Sequence, residues 1–224
     1  MSNCHKIHKI FNKLPRHHFP FDKNLIPKNG IYILFEKGES AHGGDRIVRI
    51  GTHTGENQLY SRLLQHFLNE NKDRSIFRKN IGRAILNKNN DIFLEQWEWD
   101  LTEKKSKDKY LDHLDVNKQK TIEKTVTKNI QNNFSFAVIS VDQKNERLNI
   151  ESKLISTVSL CPDCKPSTQW LGSQSPKEKI RTSGLWLVNE LYKEPLTDKD
   201  LRELQLLIAQ YSIGQYHSPI FRMK

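Results

Sequence analysis

A tyrosine, an arginine and a histidine that could act together on an anionic substrate lie at Tyr32, Arg62 and His66. The planar guanidinium group of arginine pairs well with two oxygen atoms of an anion. Histidine carries protons near neutral pH, whereas tyrosine needs cations nearby before it can act as a base. Arg62 and His66 are four residues apart, so a helix would place them on the same side. These three side chains are candidates for one site if the fold brings them together.

The residues around this trio predict two short strands and a helix. Apolar residues alternate in residues 31–35, and residues 47–50 are rich in β-branched residues, which is typical of strands. The polar residues 38–45 are mostly turn formers and predict a long loop between the strands. Residues 59–68 have helical spacing, with one apolar arc formed by Leu59, Leu63, Leu64, Phe67 and Leu68. We therefore expect Tyr32 on a strand, and Arg62 and His66 on a helix beside the same sheet.

A fourth candidate, Glu151, lies much later in the chain. Residues 134–141 are apolar on both faces and predict a central, covered strand, followed by a helix from about Glu146. Glu151 falls in the middle of the apolar stripe of that helix, which consists of Leu148, Leu154, Ile155 and Val158. A carboxylate on a buried face is costly unless it is paired or binds a metal. The simpler alternative is a salt bridge to Arg49 or Arg62.

These residues, taken in order, resemble the signature of the GIY-YIG nuclease family. Gly30, Ile31 and Tyr32 form the first motif intact, and Arg49, Ile50 and Gly51 stand at the second motif. Arg62 occupies the position of the family's helix arginine, and His66 the position that holds tyrosine or histidine. Glu151 fits the metal-binding glutamate on the helix after the third strand. The resemblance covers about residues 29–172.

The resemblance implies an α/β (α+β) fold with a small, mostly antiparallel central sheet flanked by helices, and with helical elaborations. It implies an endonuclease that depends on Mg²⁺ or Mn²⁺, held by Glu151. Arg62 would pair with the scissile phosphate, Tyr32 would orient or deprotonate the attacking water, and His66 would carry a proton. Some members also have a supporting asparagine downstream, and residues 160–172 contain none.

Two departures from the family pattern leave a second hypothesis open. Arg49 replaces the tyrosine of the second motif, and Thr52 stands where many members have lysine. Arg49 could supply the missing charge, and His53 could replace a proton donor. The alternative is a weakened domain that binds nucleic acid without cutting it. A third hypothesis, an unrelated basic domain, would follow if Tyr32, Arg62 and Glu151 did not share a cleft.

Composition favours a polyanionic partner. The chain has 224 residues, a formal net charge of +10 and a pI of about 9.4. Such an excess of Lys and Arg is typical of proteins that bind nucleic acid, although an ordinary basic protein is the alternative. The resemblance to the nuclease family makes double-stranded DNA the first candidate for this partner. No apolar run is long enough for a membrane span, and residues 1–21 lack the apolar core of a signal peptide. We expect a cytoplasmic protein, and a homodimer remains open.

The chain divides into three predicted parts. Residues 1–28 are interpreted as a basic N-terminal arm, with the alternative that Phe11, Phe19 and Phe21 pack onto the domain. Residues 29–175 form the nuclease-like domain, with an elaboration at residues 87–133. Within it, residues 92–101 predict a strand and residues 110–130 one amphipathic helix. Residues 176–224 form a C-terminal extension packed on the core, whose last helix could face the core or a second copy.

A row of cations and a pair of cysteines each leave two interpretations. Arg78, Lys79 and Arg83 lie off the apolar face of a helix capped by Ser75, where they could contact DNA phosphates or merely face solvent. Residues 161–164 have the Cys-x-x-Cys spacing of half a zinc site. Completing that site would need Cys4 or a distant histidine, and two reduced thiols in a loop are the alternative.

Overall fold

The computed structural model describes the backbone of residues 1–216 and the side chains of residues 1–210. A three-stranded antiparallel sheet lies at its centre, in the order β2-β1-β3. The strands are β1 (Gly30–Ala41), β2 (Gly44–Gly51) and β3 (Phe134–Ser140). The predicted α+β fold is therefore confirmed.

The predicted long loop between the first two strands is wrong. β1 and β2 continue through this polar stretch and meet at a tight turn, where His42 and Gly43 have φ angles of +54° and +78°. Glu39 and Arg46 face inward and form a buried ion pair with an Nη2–Oε2 distance of 2.6 Å. Because charged residues occupy these inward positions, the ends of the two strands are as polar as a loop, and the sequence pattern did not indicate strands there.

The third strand is covered on both faces but lies at the edge of the sheet, so its predicted central position is wrong. The central strand is β1, which pairs with both neighbours. Part of each outer edge is occupied by a short piece of chain. His17 and Phe136 exchange two backbone hydrogen bonds on β3, and Trp186 donates its backbone N–H to the Val48 carbonyl on β2.

Helices cover both faces of the sheet. Those that pack on the face of Ile31 and Ile33 are α1 (Asn3–Phe11), α7 (Lys144–Ser159) and α9 (Asp198–Tyr216). Those on the face of Tyr32 and Leu34 are α2 (Leu59–Phe67), α3 (Ile76–Lys88), α4 (Leu94–Glu98), α6 (Val116–Asn133) and α8 (Glu178–Ser183). The helix α5 (Lys104–Tyr110) is exposed, and three short 3₁₀ helices span Lys23–Leu25, Leu111–His113 and Leu171–Gln174. Within residues 1–216, no helix combines the length and the apolarity that crossing a bilayer requires.

Two predictions in the elaboration at residues 87–133 are wrong. The strand predicted at residues 92–101 is the helix α4, whose Trp97 is buried and donates its indole N–H to the Lys79 carbonyl. The single helix predicted at residues 110–130 is broken. Its long part, α6, begins only after Asp115, which caps it by accepting from the Lys118 backbone N–H. A tryptophan that packs on a neighbouring helix here outweighs the local strand pattern.

Arg78, Lys79 and Arg83 do not form an exposed row. Arg78 is fully buried and pairs with Glu123 at 2.7 Å. The other two are also buried: Lys79 donates to a carbonyl of α4, and Arg83 forms two 2.5 Å bonds with the Glu98 carboxylate. The predicted solvated face is wrong, and this burial also speaks against their predicted contact with DNA phosphates.

The two ends of the chain contribute to the core. Ile7 and Phe11 of α1 are fully buried, and Leu201 and Leu204 of α9 face the same apolar cluster. Phe21 contacts the other cluster edge-on. The division of the chain at residues 28 and 175 stays a prediction, and residues 217–224 of the predicted extension lie outside the described residues.

Removing Glu123 should cost far more stability than removing an exposed charge. Glu123→Ala leaves the fully buried Arg78 guanidinium without its partner, so the free energy of unfolding should fall by about 3–5 kcal/mol. Chemical denaturation measures this value. The control is Lys199→Ala, because Lys199 and Glu203 are exposed and 3.8 Å apart, and it should change stability by less than about 0.5 kcal/mol. Equal losses in the two variants would contradict the role assigned to the buried pair.

Candidate active site

Tyr32 occupies a position that its strand partner makes possible. It lies opposite Gly51 in the β1–β2 register. A Cβ atom at Gly51 would stand 2.1 Å from the Tyr32 hydroxyl oxygen, so no residue with a side chain fits there without movement. Gly30 is restricted in the same way, since a Cβ atom would lie 2.1 Å from the Ile139 carbonyl oxygen. The glycines of both motifs therefore exist to let Tyr32 and the strands pack this closely.

The Tyr32 hydroxyl belongs to a buried chain of hydrogen bonds. It lies 2.7 Å from His66 Nε2, and Arg49 Nε donates to it at 3.4 Å. On its other side, His66 Nδ1 lies 2.7 Å from the Ser75 hydroxyl. Arg49 is held in turn by a bond from Nη1 to the Trp186 carbonyl. The structure thus brings together Tyr32, Arg49 and His66.

The structure changes the expectation for His66. A proton carrier near neutral pH was expected, but the side chain is fully buried. Burial lowers its pKa well below the usual value, and the charges of Arg62, Arg49 and Arg78 act in the same direction. His66 is therefore neutral at physiological pH. With its proton on Nδ1, it can accept the Tyr32 hydroxyl proton at Nε2, but it does not exchange protons directly with solvent.

Glu151 lies at the wall of a cleft of about 410 Å³. Its Oε1 atom accepts the backbone N–H of Thr52 at 3.1 Å. Burial raises the pKa of Glu151, while the positive charge of Arg49 and the Thr52 hydrogen bond act against this rise. Within the described side chains, Glu151 has no salt bridge to a lysine or arginine, so the alternative of an ion pair with Arg49 or Arg62 is not realised.

Arg62 lines a second cleft of about 300 Å³, together with Thr52, His53 and Gln58. Its Nη1 atom donates to the Gln65 side chain at 2.9 Å and to the Arg74 carbonyl at 3.0 Å. Thr52 lines this cleft and also holds Glu151, which lines the first. The two clefts therefore adjoin at the Thr52–Glu151 contact.

His53 is not placed as a free proton donor. Its Nδ1 atom lies 2.7 Å from the Gly55 carbonyl, and its Nε2 atom accepts the Gly30 backbone N–H at 3.3 Å. Burial also lowers its pKa. His53 thus joins the two motif-bearing segments, and the structure gives it a positional role.

Among these side chains, Glu151 offers the oxygen donors that a hard divalent cation requires. Its Oε1 atom is occupied by Thr52, whereas Oε2 accepts no hydrogen bond from the described side chains or backbone and lies beside the first cleft. A half-buried carboxylate with a free oxygen at the wall of a cleft fits a metal ligand. Where other members carry lysine, Thr52 contributes a backbone N–H that orients this carboxylate.

Sequence reasoning missed two residues of the first cleft, Asn189 and Glu190. The Glu190 carboxylate accepts from Ser152 at 2.5 Å and from Lys193 at 2.7 Å, and these bonds lower its pKa. Asn189 is exposed beside Glu151, far beyond residues 160–172 where a supporting asparagine was expected. The available signal was the polar pair that directly follows the apolar residues 185–188.

The protonation of His66 makes stability depend on pH. Because the folded pKa is lowered, the unfolded chain takes up a proton first as the pH falls. The contribution of His66 to the free energy of unfolding should be at its maximum above pH ~6.5. Below pH ~6.5 this free energy should fall by up to ~1.4 kcal/mol per pH unit. Denaturation of His66→Gln between mildly acidic and neutral pH should show this part of the slope removed. The exposed His113→Gln should keep the parental slope, and an unchanged slope in His66→Gln would exclude this origin.

Tyr32, Arg62 and Glu151 do not line one common cleft. Arg62 and Glu151 line adjoining clefts, and the fully buried Tyr32 lies behind Arg49. A family model described as the GIY-YIG domain matches residues 16–213, which is most of the chain and includes Tyr32, Arg62, His66 and Glu151. No curated protein and no solved structure matches the chain. The motif is therefore not accidental, and the chain belongs to the GIY-YIG domain family.

Proposed function

We propose that the protein is an endonuclease that hydrolyses DNA phosphodiester bonds with the help of Mg²⁺ or Mn²⁺. Family membership supports nuclease chemistry in general. The observation that carries the finer proposal is the Glu151 carboxylate, which lies at the junction of two clefts between the cations Arg49 and Arg62. An anionic backbone and a divalent cation meet their complementary groups at this junction.

Glu151 would hold the cation through its free carboxylate oxygen, with Asn189 as a second oxygen donor in the same cleft. When bound, such a cation stabilises negative charge on the phosphate and on the leaving oxygen. Glu190 adds a second negative charge to this wall, which favours a cation over a further anion.

The two arginines are suited to bind the scissile phosphate. Each is anchored through Nη1, Arg49 to a carbonyl of the 184–188 segment and Arg62 to the Arg74 carbonyl. In neither residue does Nη2 have a hydrogen-bond partner among the described residues. Each guanidinium therefore keeps one nitrogen available for phosphate oxygens, where its charge would stabilise the transition state.

Tyr32 and His66 would receive the proton of the attacking water. The hydroxyl can pass its own proton to neutral His66, and the Arg49 charge stabilises the tyrosinate that remains. Since Arg49 lies between Tyr32 and the cleft, its side chain must turn toward the bound phosphate to open this path. Catalytic contacts often tighten only in the substrate complex.

Double-stranded DNA is the substrate that the net charge of +10 favours. We propose a cytoplasmic enzyme of restriction or repair type, because DNA is a polyanion available there to a basic chain. Discrete fragments from a plasmid would indicate a restriction-type enzyme, and a smear a nonspecific one. A homodimer that presents two such sites would permit cleavage of both strands.

The second candidate function is a domain that binds nucleic acid without cutting it. The observation that favours it is the complete burial of the Tyr32 hydroxyl behind Arg49. In that case the affinity for DNA would fall as the salt concentration rises, as is typical of phosphate contacts. The DNA would stay uncut with or without a metal ion.

Replacing Glu151 tests the metal site. With supercoiled plasmid and Mg²⁺ or Mn²⁺, Glu151→Gln should reduce cleavage by about 10³-fold, since charge stabilisation by a metal contributes several kcal/mol and ~1.4 kcal/mol is tenfold. Glu146→Gln is the matched control, because it lies exposed on the same helix outside both clefts. Gel assays of nicked and linear product measure the rates.

Three outcomes separate the candidates. Cleavage lost in Glu151→Gln and retained in Glu146→Gln supports the endonuclease. Cleavage that survives in Glu151→Gln contradicts the proposed metal ligand. No cleavage by any protein, together with salt-sensitive DNA binding by all three, supports the binding domain.

Replacing Tyr32 tests the proton path. Tyr32→Phe keeps the ring but removes the hydroxyl between Arg49 and His66, so kcat should fall by about 10²–10⁴-fold while DNA binding is kept. Tyr60→Phe, on the same face of the sheet, should leave kcat unchanged. A fall in DNA affinity without a fall in kcat would assign Tyr32 a purely positional role.

A further inference from the structure

Four metal-ligating side chains meet on the face of the sheet opposite Tyr32. They come from three parts of the chain: Cys4 and His8 from α1, His42 from the β1–β2 turn, and Cys164 from the loop after α7. We call these four residues the thiol–imidazole cluster. Three of them are buried and His42 is half-buried.

The ligand atoms of the cluster are close enough to share one ion. All four lie within 4.8 Å of one another. Cys164 Sγ, for example, is 3.6 Å from His8 Nε2. With bonds of about 2.3 Å to sulfur and about 2.0 Å to nitrogen, tetrahedral zinc spaces its ligand atoms by roughly 3.3–3.8 Å. Shifts of about 1 Å or less in side-chain position therefore complete such a site.

His8 already has the support that a metal-ligating histidine normally has. Its Nδ1 atom lies 2.9 Å from the Cys4 carbonyl oxygen, which places the ring proton on Nδ1 and leaves Nε2 as the ligand atom. Nε2 faces Cys164 and also accepts the Ile47 backbone N–H at 3.1 Å. A metal bound at Nε2 would replace this hydrogen bond from Ile47.

We propose that Cys4, His8, His42 and Cys164 bind one Zn²⁺ ion as a structural site. Two thiolates and two imidazoles form a closed four-coordinate set that suits zinc and leaves no position for substrate. The three cysteines of the chain are free, so no disulfide competes for the two thiols. Because three distant segments supply the ligands, the ion would fasten the N-terminal helix and the loop after α7 to the hairpin.

Cys161 stands next to the cluster. Its Sγ atom lies 3.5 Å from His42 Nε2, and it completes the Cys-x-x-Cys spacing with Cys164. It is half-buried, and it is not one of the four ligand atoms that lie within 4.8 Å of one another. The proposal therefore treats Cys161 as a neighbour of the ion and Cys164 as the ligand.

The site is separate from the proposed nuclease centre. None of the four cluster residues lines either cleft of the proposed nuclease centre, and Cys4 and Cys164 lie on the Ile31 side of the sheet, opposite Tyr32. Zinc content can thus be measured without reference to DNA cleavage, and the failure of one proposal does not affect the other.

The test is the zinc content of the full chain, measured by elemental mass spectrometry. The protein is purified under reducing conditions without chelator. The parent should hold one zinc per chain, and Co²⁺ in its place should give the absorption of a tetrahedral site with thiolate ligands. Cys164→Ser and His42→Asn should each lose the metal. Asparagine is chosen at position 42 because it tolerates the positive φ angle of that turn. This second variant lies at a half-buried turn, so it remains informative if Cys164→Ser fails to fold.

The matched control is His5→Ala, whose ring lies 5.2 Å from that of His42 but outside the cluster. It should keep one zinc per chain. Removing the metal from the parent should lower the melting temperature by on the order of 10 °C, and zinc should restore it. The same treatment should leave the melting temperature of His42→Asn unchanged.

Two results would overturn the proposal. A parent that holds no zinc, and takes up none when titrated under reducing conditions, would show that the cluster is a set of buried thiols and imidazoles. A Cys161→Ser variant that loses zinc as completely as Cys164→Ser would overturn the ligand set, because Cys161 would then be a ligand.

Discussion

The close contact between the Tyr32 hydroxyl and the backbone of Gly51 is the constraint on which the site depends. Since Gly51 has no Cβ atom, the Tyr32 hydroxyl can approach the backbone of β2 this closely and still contact both Arg49 and His66. The same strand end then turns into Thr52, whose N–H holds the Glu151 carboxylate. One glycine therefore sets the spacing between the buried hydrogen-bond chain and the surface carboxylate. Any shift of β2 along β1 would separate these two parts of the site.

Buried charges connect this sheet to the segments that surround it. Glu36 accepts the indole N–H groups of both Trp170 and Trp186, and burial raises its pKa to about 7. Trp186 also provides the carbonyl that anchors Arg49. The C-terminal segment is thus tied to the central strand by polar contacts, so it fixes the cationic wall of the first cleft. Such contacts specify one arrangement, since an unsatisfied buried charge is costly.

The sequence predicted the α+β fold and the elements that carry the candidate site residues, but not how these elements pack. Local motifs carry short-range information, so the order strand, strand and helix and the N-terminal cap of Ser75 could be deduced. A single cleft shared by Tyr32, Arg62 and Glu151 was expected and is not observed. The full length of the hairpin could not be deduced, because the charged residues Glu39 and Arg46 occupy inward-facing strand positions and make this stretch look like a loop in the sequence. The burial of His66 and Arg78 could not either, since it depends on helices packed from distant parts of the chain. The same holds for Asn189, which reaches the cleft only through the fold.

The covered sheet edges restrict how two copies of the chain could associate. A strand with free backbone groups invites pairing with another chain, and this is the usual route to a continuous intermolecular sheet. Here a backbone bridge at His17 occupies part of one edge and the backbone of Trp186 part of the other. Two copies would therefore meet through side chains on their helices rather than by extending the sheet. An assembly of that kind can loosen or tighten through surface mutations alone, without disturbing the strands that hold Tyr32.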